Sequence, residues 1–177
     1  YLAFEIDRIV SKDQKGEEVG PSLDQLRTDL RGVIGEVRDT LYDLRTDVSE
    51  EVEIGEVLKQ FAARLMERSD LDIRVYADQQ GTRLPLLQER EMWRIAQEAL
   101  VNVERHAEAK GAAVRWRCDG NAAALEVADD GKGFSKGNAG RTDSYGLVGM
   151  RERAASIGAT LEVHSEEGRG TVIRCFL

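Results

Sequence analysis

Apolar positions recur along this chain with two periods, and the change of period divides it. Leu23, Leu26, Leu30, Val33, Val37, Leu41, Leu44 and Val48 follow one another at spacings of three and four, a coiled-coil-like seam with one stutter. Before them Leu2, Ile6 and Ile9 form a short stripe, broken by the polar run from Ser11 to Gly20. Ser22-Leu-Asp-Gln25, just after Pro21, predicts a helix start capped by Ser22. Residues 1–48 therefore read as a helical hairpin. A helix packed on its own domain would satisfy this periodicity as well as one packed on a partner. Gly32 and Gly35 each cost such a helix about 1 kcal/mol relative to Ala, unless they allow a close approach.

Ser49 to Glu53 is an acidic hinge, and from there the pattern mixes helix with strand. Val57, Leu58, Phe61, Leu65 and Met66 predict a helix ending near Ser69. Ile73, Val75 and Ala77 alternate as a half-buried strand, and Asp78 to Pro85 reads as loop. Glu89 to about Ala107 is predicted helical, with Met92, Ala96, Ala99 and Val103 on one face. Val114, Trp116 and Cys118 alternate in a strand that turns at Asp119-Gly-Asn121 into a second, through Leu125 and Val127. A glycine-rich stretch, Gly131 to Tyr145, precedes a helix predicted from Leu147 to Ile157 and closed by Gly158. Leu161 and Val163 open a strand that turns at Glu166-Glu-Gly168-Arg-Gly170 into the last one, Thr171 to Leu177. The fold class expected is α+β, a mixed sheet with helices on one face, preceded by the hairpin, with domains at 1–48 and 49–177.

Composition narrows what this fold does. The 177 residues carry a formal net charge of −8, which argues against a nucleic-acid partner or an anionic membrane surface. A nucleotide needs only local positive dipoles, so it stays open. Cys118 and Cys175 sit in apolar strand-like runs and read as buried thiols. No apolar run approaches the ~18 residues of a membrane span.

The chemistry gathers in a few places. Asp129 ends an apolar strand just before Gly131 and Gly133. A carboxylate there can accept a hydrogen bond from an exocyclic amine such as adenine N6, although an Asp-Gly turn explains the same letters. No Walker loop or dinucleotide fingerprint occurs. In Gly146-Leu147-Val148-Gly149 the glycines open a helix, whose free N–H groups suit phosphate. Glu98 and Asn102 share a helix face with Arg105; an Asn oxygen suits Mg²⁺, and an Arg suits phosphate. A solvated helix face would also account for all three. His106 reads first as a helix-end histidine, Thr171 as pocket or strand filler, His164 as structural or exposed, and Trp93 and Trp116 as core.

Taken in order, these stretches resemble the ATP-binding domain of the GHKL superfamily, whose fold is the Bergerat sandwich. Glu98-Ala-Leu-Val-Asn102-Val-Glu-Arg105-His106-Ala107 resembles its N box, Asp129-Asp-Gly131-Lys-Gly133-Phe134 its first glycine box, Gly146-Leu-Val-Gly149-Met-Arg-Glu-Arg the second, and Gly168-Arg-Gly170-Thr171 the last. In detail the wording resembles sensor histidine kinases that pair with LuxR-type response regulators. Residues 1–48 then resemble their dimerisation and phosphotransfer hairpin, down to Leu41-Tyr-Asp-Leu44-Arg45. The resemblance implies ATP and Mg²⁺ as cofactors. It implies that Asp129 binds the adenine amine with support from Thr171, that Asn102 ligates Mg²⁺, and that Arg105 and His106 approach the phosphates. Gly131, Gly133, Gly146, Leu147, Val148 and Gly149 would shape the nucleotide site, the stretch from Gly131 to Tyr145 would form a lid, and Glu98 would help polarise the attacking group. A homodimer through the hairpin, a response-regulator partner and a cytoplasmic location follow, the last including the cytosolic part of a membrane-bound sensor.

One departure from that pattern matters. The family's phosphate acceptor is a hairpin His followed by an acidic residue, whereas the two histidines here are His106, followed by Ala107, and His164, followed by Ser165. The acceptor is expected upstream of Tyr1. Three rivals share some of these features: a GHKL ATP hydrolase using Glu98 to activate water, an anti-sigma-type serine kinase, and a dimerisation module with a degenerate nucleotide fold.

Overall fold

A computed structural model describes residues 8–12, 14–16, 18–23, 25–27, 30, 48–120, 122–134 and 143–177. The chain divides into two units, Tyr1–Thr46 and Asp47–Leu177. In the first, Gly20 and Pro21 are already helical and the Leu23 amide donates to the Val19 carbonyl at 2.9 Å. The helix thus begins before Ser22, with Pro21 in the first turn, where a missing N–H costs nothing. The Ser22 hydroxyl accepts instead from Lys12 Nζ at 3.2 Å. Most of the expected seam, residues 31–47, lies outside the described residues.

The second unit is a five-stranded mixed sheet with helices on one face. Its elements are α1 (Ile54–Arg68), β1 (Asp72–Gln79), α2 (Leu86–Asn102), a π-helical turn (Val103–Ala107), β2 (Gly111–Cys118), β3 (Ala123–Asp129), α3 (Asp143–Ser156), β4 (Thr160–Ser165) and β5 (Thr171–Phe176). The strand order is β1-β2-β3-β5-β4, with β1 parallel to β2 and the other pairs antiparallel.

Strand parity sorts the faces. Ala112, Val114, Trp116 and Cys118 of β2, Ala123, Leu125 and Val127 of β3, and Ile173 and Cys175 of β5 all turn inward. α1 buries Ile54, Val57, Leu58, Phe61, Ala62 and Leu65, and α2 buries Met92, Trp93, Ile95, Ala96, Ala99 and Leu100. Phe61 and Trp93 meet edge to face with ring centroids 5.2 Å apart, joining α1 to α2. Both tryptophans are core, and both cysteines are buried free thiols; burial pushes the Cys175 thiol up to about 11. The outward residues of the middle strands pair across the sheet. Glu126 accepts from Arg115 Nη1 and Arg174 Nε, each at 2.7 Å, and its carboxyl is held low, chiefly by the Arg174 hydrogen bond.

The structure redraws several expected boundaries. The expected helix over Glu89–Ala107 is α-helical only to Asn102 and then widens into the π turn, which ends at Glu108 with φ 51°. The helix expected from Leu147 starts at Asp143, so Gly146 lies inside its first turn. β1 runs on to Gln79, and Ala77 on it is exposed.

One buried charge organises the start of this unit. Glu89, fully buried at the start of α2, forms an ion pair with Arg83. Arg83 also donates to the carbonyls of Glu50, Ser49 and Val52, and Arg90 donates to Val48 at 2.9 Å. The clamp thereby ties residues 48–52 to α2. Breaking a buried pair from one side leaves an uncompensated charge or donor. Glu89→Ala is expected to lower unfolding stability by about 3 kcal/mol, and the Arg83→Met, Glu89→Leu double variant to recover part of that loss. Urea denaturation of both variants checks this.

Candidate nucleotide site

The pocket lies between α2 with its π turn on one side and β3 and β5 on the other. It is a partly open cleft with a volume of about 100 Å³. Apolar walls come from Ala99, Val103, Ala107, Val127, Leu147 and Ile173. Polar groups come from Asn102, His106, Asp129, Lys132 and Thr171. Segments far apart in sequence meet here because β5 inserts beside β3.

Asp129 is the half-buried carboxylate of this cleft, on the same strand parity as Val127. The Gly131 amide donates to its Oδ1 at 2.8 Å. Its pKa lies above the ordinary aspartate range because burial disfavours the charge, against the pull of the Gly131 and Thr171 amides. Its neighbour Asp130 shows the opposite behaviour. It points outward, accepts from the Gly111 amide at 2.8 Å and the Lys110 amide at 2.9 Å, and is held low, first by the Gly111 bond.

Backbone packing leaves little freedom below the pocket. A Cβ on Gly131 would collide with the Ala107 carbonyl, one on Gly133 with the Glu166 carbonyl, and one on Gly170 with the Asp129 carbonyl. Gly133 and Gly170 also carry positive φ, 58° and 77°. The turn between is pinned by Lys132 N to Ala107 O at 2.8 Å and by Gly168 N to Lys132 O at 2.6 Å. Lys132 Nζ reaches Glu108 at 2.7 Å.

The structure brings together Asn102, His106, Asp129, Gly133, Leu147 and Thr171 among the pocket-lining residues. Gly131 stands behind Asp129 as a hydrogen-bond donor. Glu98 does not line the pocket. Its carboxylate packs against Gly146, where any Cβ would strike it, with the Asn102 amide close by. Gly146 is therefore a point of close contact between α2 and α3. Arg105 is exposed and outside the lining, as is Val148. Gly149 also lies outside it, in open space. Residues 135–142 of the expected lid lie outside the described residues. Lys132, Phe134 and Ser165 were not singled out by sequence. Phe134 lines the pocket, and Ser165 bonds both to its amide and to Thr171.

The sequence pattern of the histidine kinase-, DNA gyrase B-, and HSP90-like ATPase family matches residues 87–177, just over half of the chain. The chain belongs to this family. Its domain is an ATP-binding domain of the sensor-histidine-kinase kind. The chain is 38% identical over 138 residues to the sensor histidine kinase LiaS of Bacillus subtilis, covering 78% of this chain and 38% of that protein. It is 27% identical over 172 residues to the histidine-protein kinase/phosphatase DegS of Brevibacillus brevis, covering 97% of this chain and 44% of that protein. The chain thus spans less than half the length of either relative. Among solved structures, the histidine kinase domain of a blue-light activated kinase from Erythrobacter litoralis shares the fold with a TM-score of 0.57 at 22% identity, covering 71% of this chain and 65% of that one. No helix among the described residues is long and apolar enough to cross a membrane.

The glycines divide by what surrounds them, and stability will report it. Gly170→Ala meets both a positive φ and the Asp129 carbonyl and is expected to cost at least about 2 kcal/mol. Gly149→Ala meets nothing and removes a helix-interior glycine, so it should leave stability unchanged or raise it by up to about 1 kcal/mol. Thermal denaturation of the two variants gives the comparison.

Proposed function

We propose that this chain is the ATP-binding catalytic part of a sensor histidine kinase, passing the ATP γ-phosphoryl group to a hairpin histidine for relay to a response-regulator aspartate. The observation that carries this reading is the Asp129 carboxylate, fixed by two amides in an apolar cleft with Asn102 and His106 also on its lining. Such a carboxylate has lone pairs left to accept from an exocyclic amine, and the aliphatic walls suit a flat ring. The γ-phosphoryl transfer itself asks little covalent chemistry of the protein; positioning and charge stabilisation dominate. His106 at the rim and the first turn of α3 would meet the phosphates. Asn102, a neutral oxygen donor on the lining, would hold Mg²⁺, which when bound neutralises charge on the phosphate oxygens. Glu98, packed on Gly146, would act by aligning α3 with α2 as well as by any polarising role.

In this reading residues 1–48 are part of a dimerisation hairpin. Val10, Leu23 and Leu30 there are 48%, 48% and 40% exposed, as apolar side chains awaiting a partner helix would be. The partner regulator would be of the LuxR-type output class, and the location cytoplasmic, as the cytosolic part of a sensor.

Two outcomes test the proposal. Asp129→Asn replaces an acceptor-only group, and loss of a hydrogen bond to an ionised group is expected to weaken ATP binding about 10- to 150-fold by calorimetry. The raised pKa sets the sign of the pH dependence. As pH falls, Asp129 takes up its proton above the ordinary aspartate range near 4, so wild-type affinity should begin to fall there. The same uptake relieves a desolvation cost in the free fold, so apo stability gains from this residue over the interval in which affinity drops. Asp129→Asn should lack that step in its affinity profile; an identical pH profile and unchanged affinity would remove Asp129 from the site.

The two histidines present are not expected to be acceptors. His106 lines the pocket at the end of the N-box helix, and His164 sits exposed on β4 beside Glu162 at 3.6 Å. Incubation with γ-labelled ATP should leave both unlabelled. Stoichiometric acid-labile label on either would overturn the assigned role of the N box.

A further inference from the structure

The Ser165 hydroxyl, at the end of β4, stands where three parts of the pocket meet. It accepts from the Phe134 amide at 2.8 Å, lies 3.2 Å from the Gly170 carbonyl and 3.0 Å from the Thr171 hydroxyl. Phe134 and Thr171 both line the pocket, and Gly170 is wedged against Asp129. Ser165 itself does not line it. A hydroxyl has one proton and two lone pairs. The Phe134 amide uses one lone pair. The proton goes to the Gly170 carbonyl, so the Thr171 hydroxyl donates to the second Ser165 lone pair and shows the pocket its own acceptor lone pairs.

We propose that Ser165 is a positioning residue of the nucleotide site, acting through Thr171 by fixing the direction and hydrogen-bond polarity of its hydroxyl. The inference rests on the ATP-binding reading above. Without Ser165 the Thr171 side chain keeps its place in the sheet but loses the neighbour that orients its proton. A ligand would then have to order that group on binding, at a cost in affinity. Ser165 sits across the β4–β5 ladder from Thr171, so the pair is held by strand register rather than by loop chance.

A double-mutant cycle on ATP binding tests this, because a serine that acts on affinity only through the Thr171 hydroxyl loses that effect once the hydroxyl is removed. Calorimetric titration of wild type and Asp129→Asn with a non-hydrolysable ATP analogue first establishes the site. Ser165→Ala is then expected to weaken binding about 5- to 30-fold. In a Thr171→Val background the same change should cost at least about 3-fold less than it does in wild type. If Ser165→Ala does not fold, Ser165→Cys, close in shape and a poor hydrogen-bonding group, carries the same comparison. Equal losses in the two backgrounds, or unchanged affinity in Ser165→Ala, would overturn the inference while leaving ATP binding intact. A wild-type chain that bound no ATP would overturn both.

Discussion

Three backbone contacts too close for any side chain hold the floor of this pocket together. Gly131 lies on the end of the π turn, Gly133 on the β4–β5 hairpin, and Gly170 on Asp129 itself. Each contact joins segments from different parts of the chain, and together they leave the turn after β3 one path to follow. Asp129 depends on that path. Its charge loses hydration by burial, and the Gly131 and Thr171 amides that offset the loss reach it only because the glycines allow the backbone so near. A methyl group at any of the three would separate the carboxylate from its donors before it touched a ligand.

The adjacent aspartates show how strongly parity governs chemistry here. Asp129 and Asp130 are identical in composition and one peptide apart, yet burial raises one and exposed amide contacts lower the other. The sheet assigns these fates. Val127 faces the core, so Asp129 two residues on faces inward and Asp130 outward. The outward carboxylate then fastens the start of β2 through Lys110 and Gly111. Elsewhere a fully buried carboxylate, Glu89, has an arginine to meet it. Among the described residues Asp129 is met by the Gly131 and Thr171 amides, and a carboxylate has further lone pairs for whatever enters the cleft.

Much of this was legible in the letters. Alternation marks β2 and the strand through Leu125 and Val127, the apolar runs around Cys118 and Cys175 mark buried thiols, and Asp129 stands at the end of an apolar strand. What periodicity could not convey was the widening of the helix after Asn102. A π turn rotates less per residue than an α-helix. Arg105, expected beside Asn102, therefore lags outside the pocket lining, and Ala107 swings into it with His106. The start of α3 was missed for another reason. Gly146 is a poor helix residue and read as a boundary, but its packing on Glu98 and Asn102 outweighs a propensity cost of about 1 kcal/mol. Ser165 carried no signal at all, since a serine at a strand end is ordinary until the partner strand sets Thr171 beside it.

The order of strands has a thermodynamic consequence. β5 is last in sequence but lies between β3 and β4, and it supplies both Thr171 and Ile173 to the pocket. No part of the chain before residue 171 can complete the cleft. Binding there and closure of the sheet are thus one coupled event, and any ligand of the cleft stabilises the native sheet by RT ln(1 + [L]/Kd). The coupling runs both ways. A change that loosens β5, even on the outer face where Arg174 meets Glu126, withdraws a wall and a hydroxyl from the site together. Affinity in this fold therefore responds to sheet integrity at positions far from the ligand.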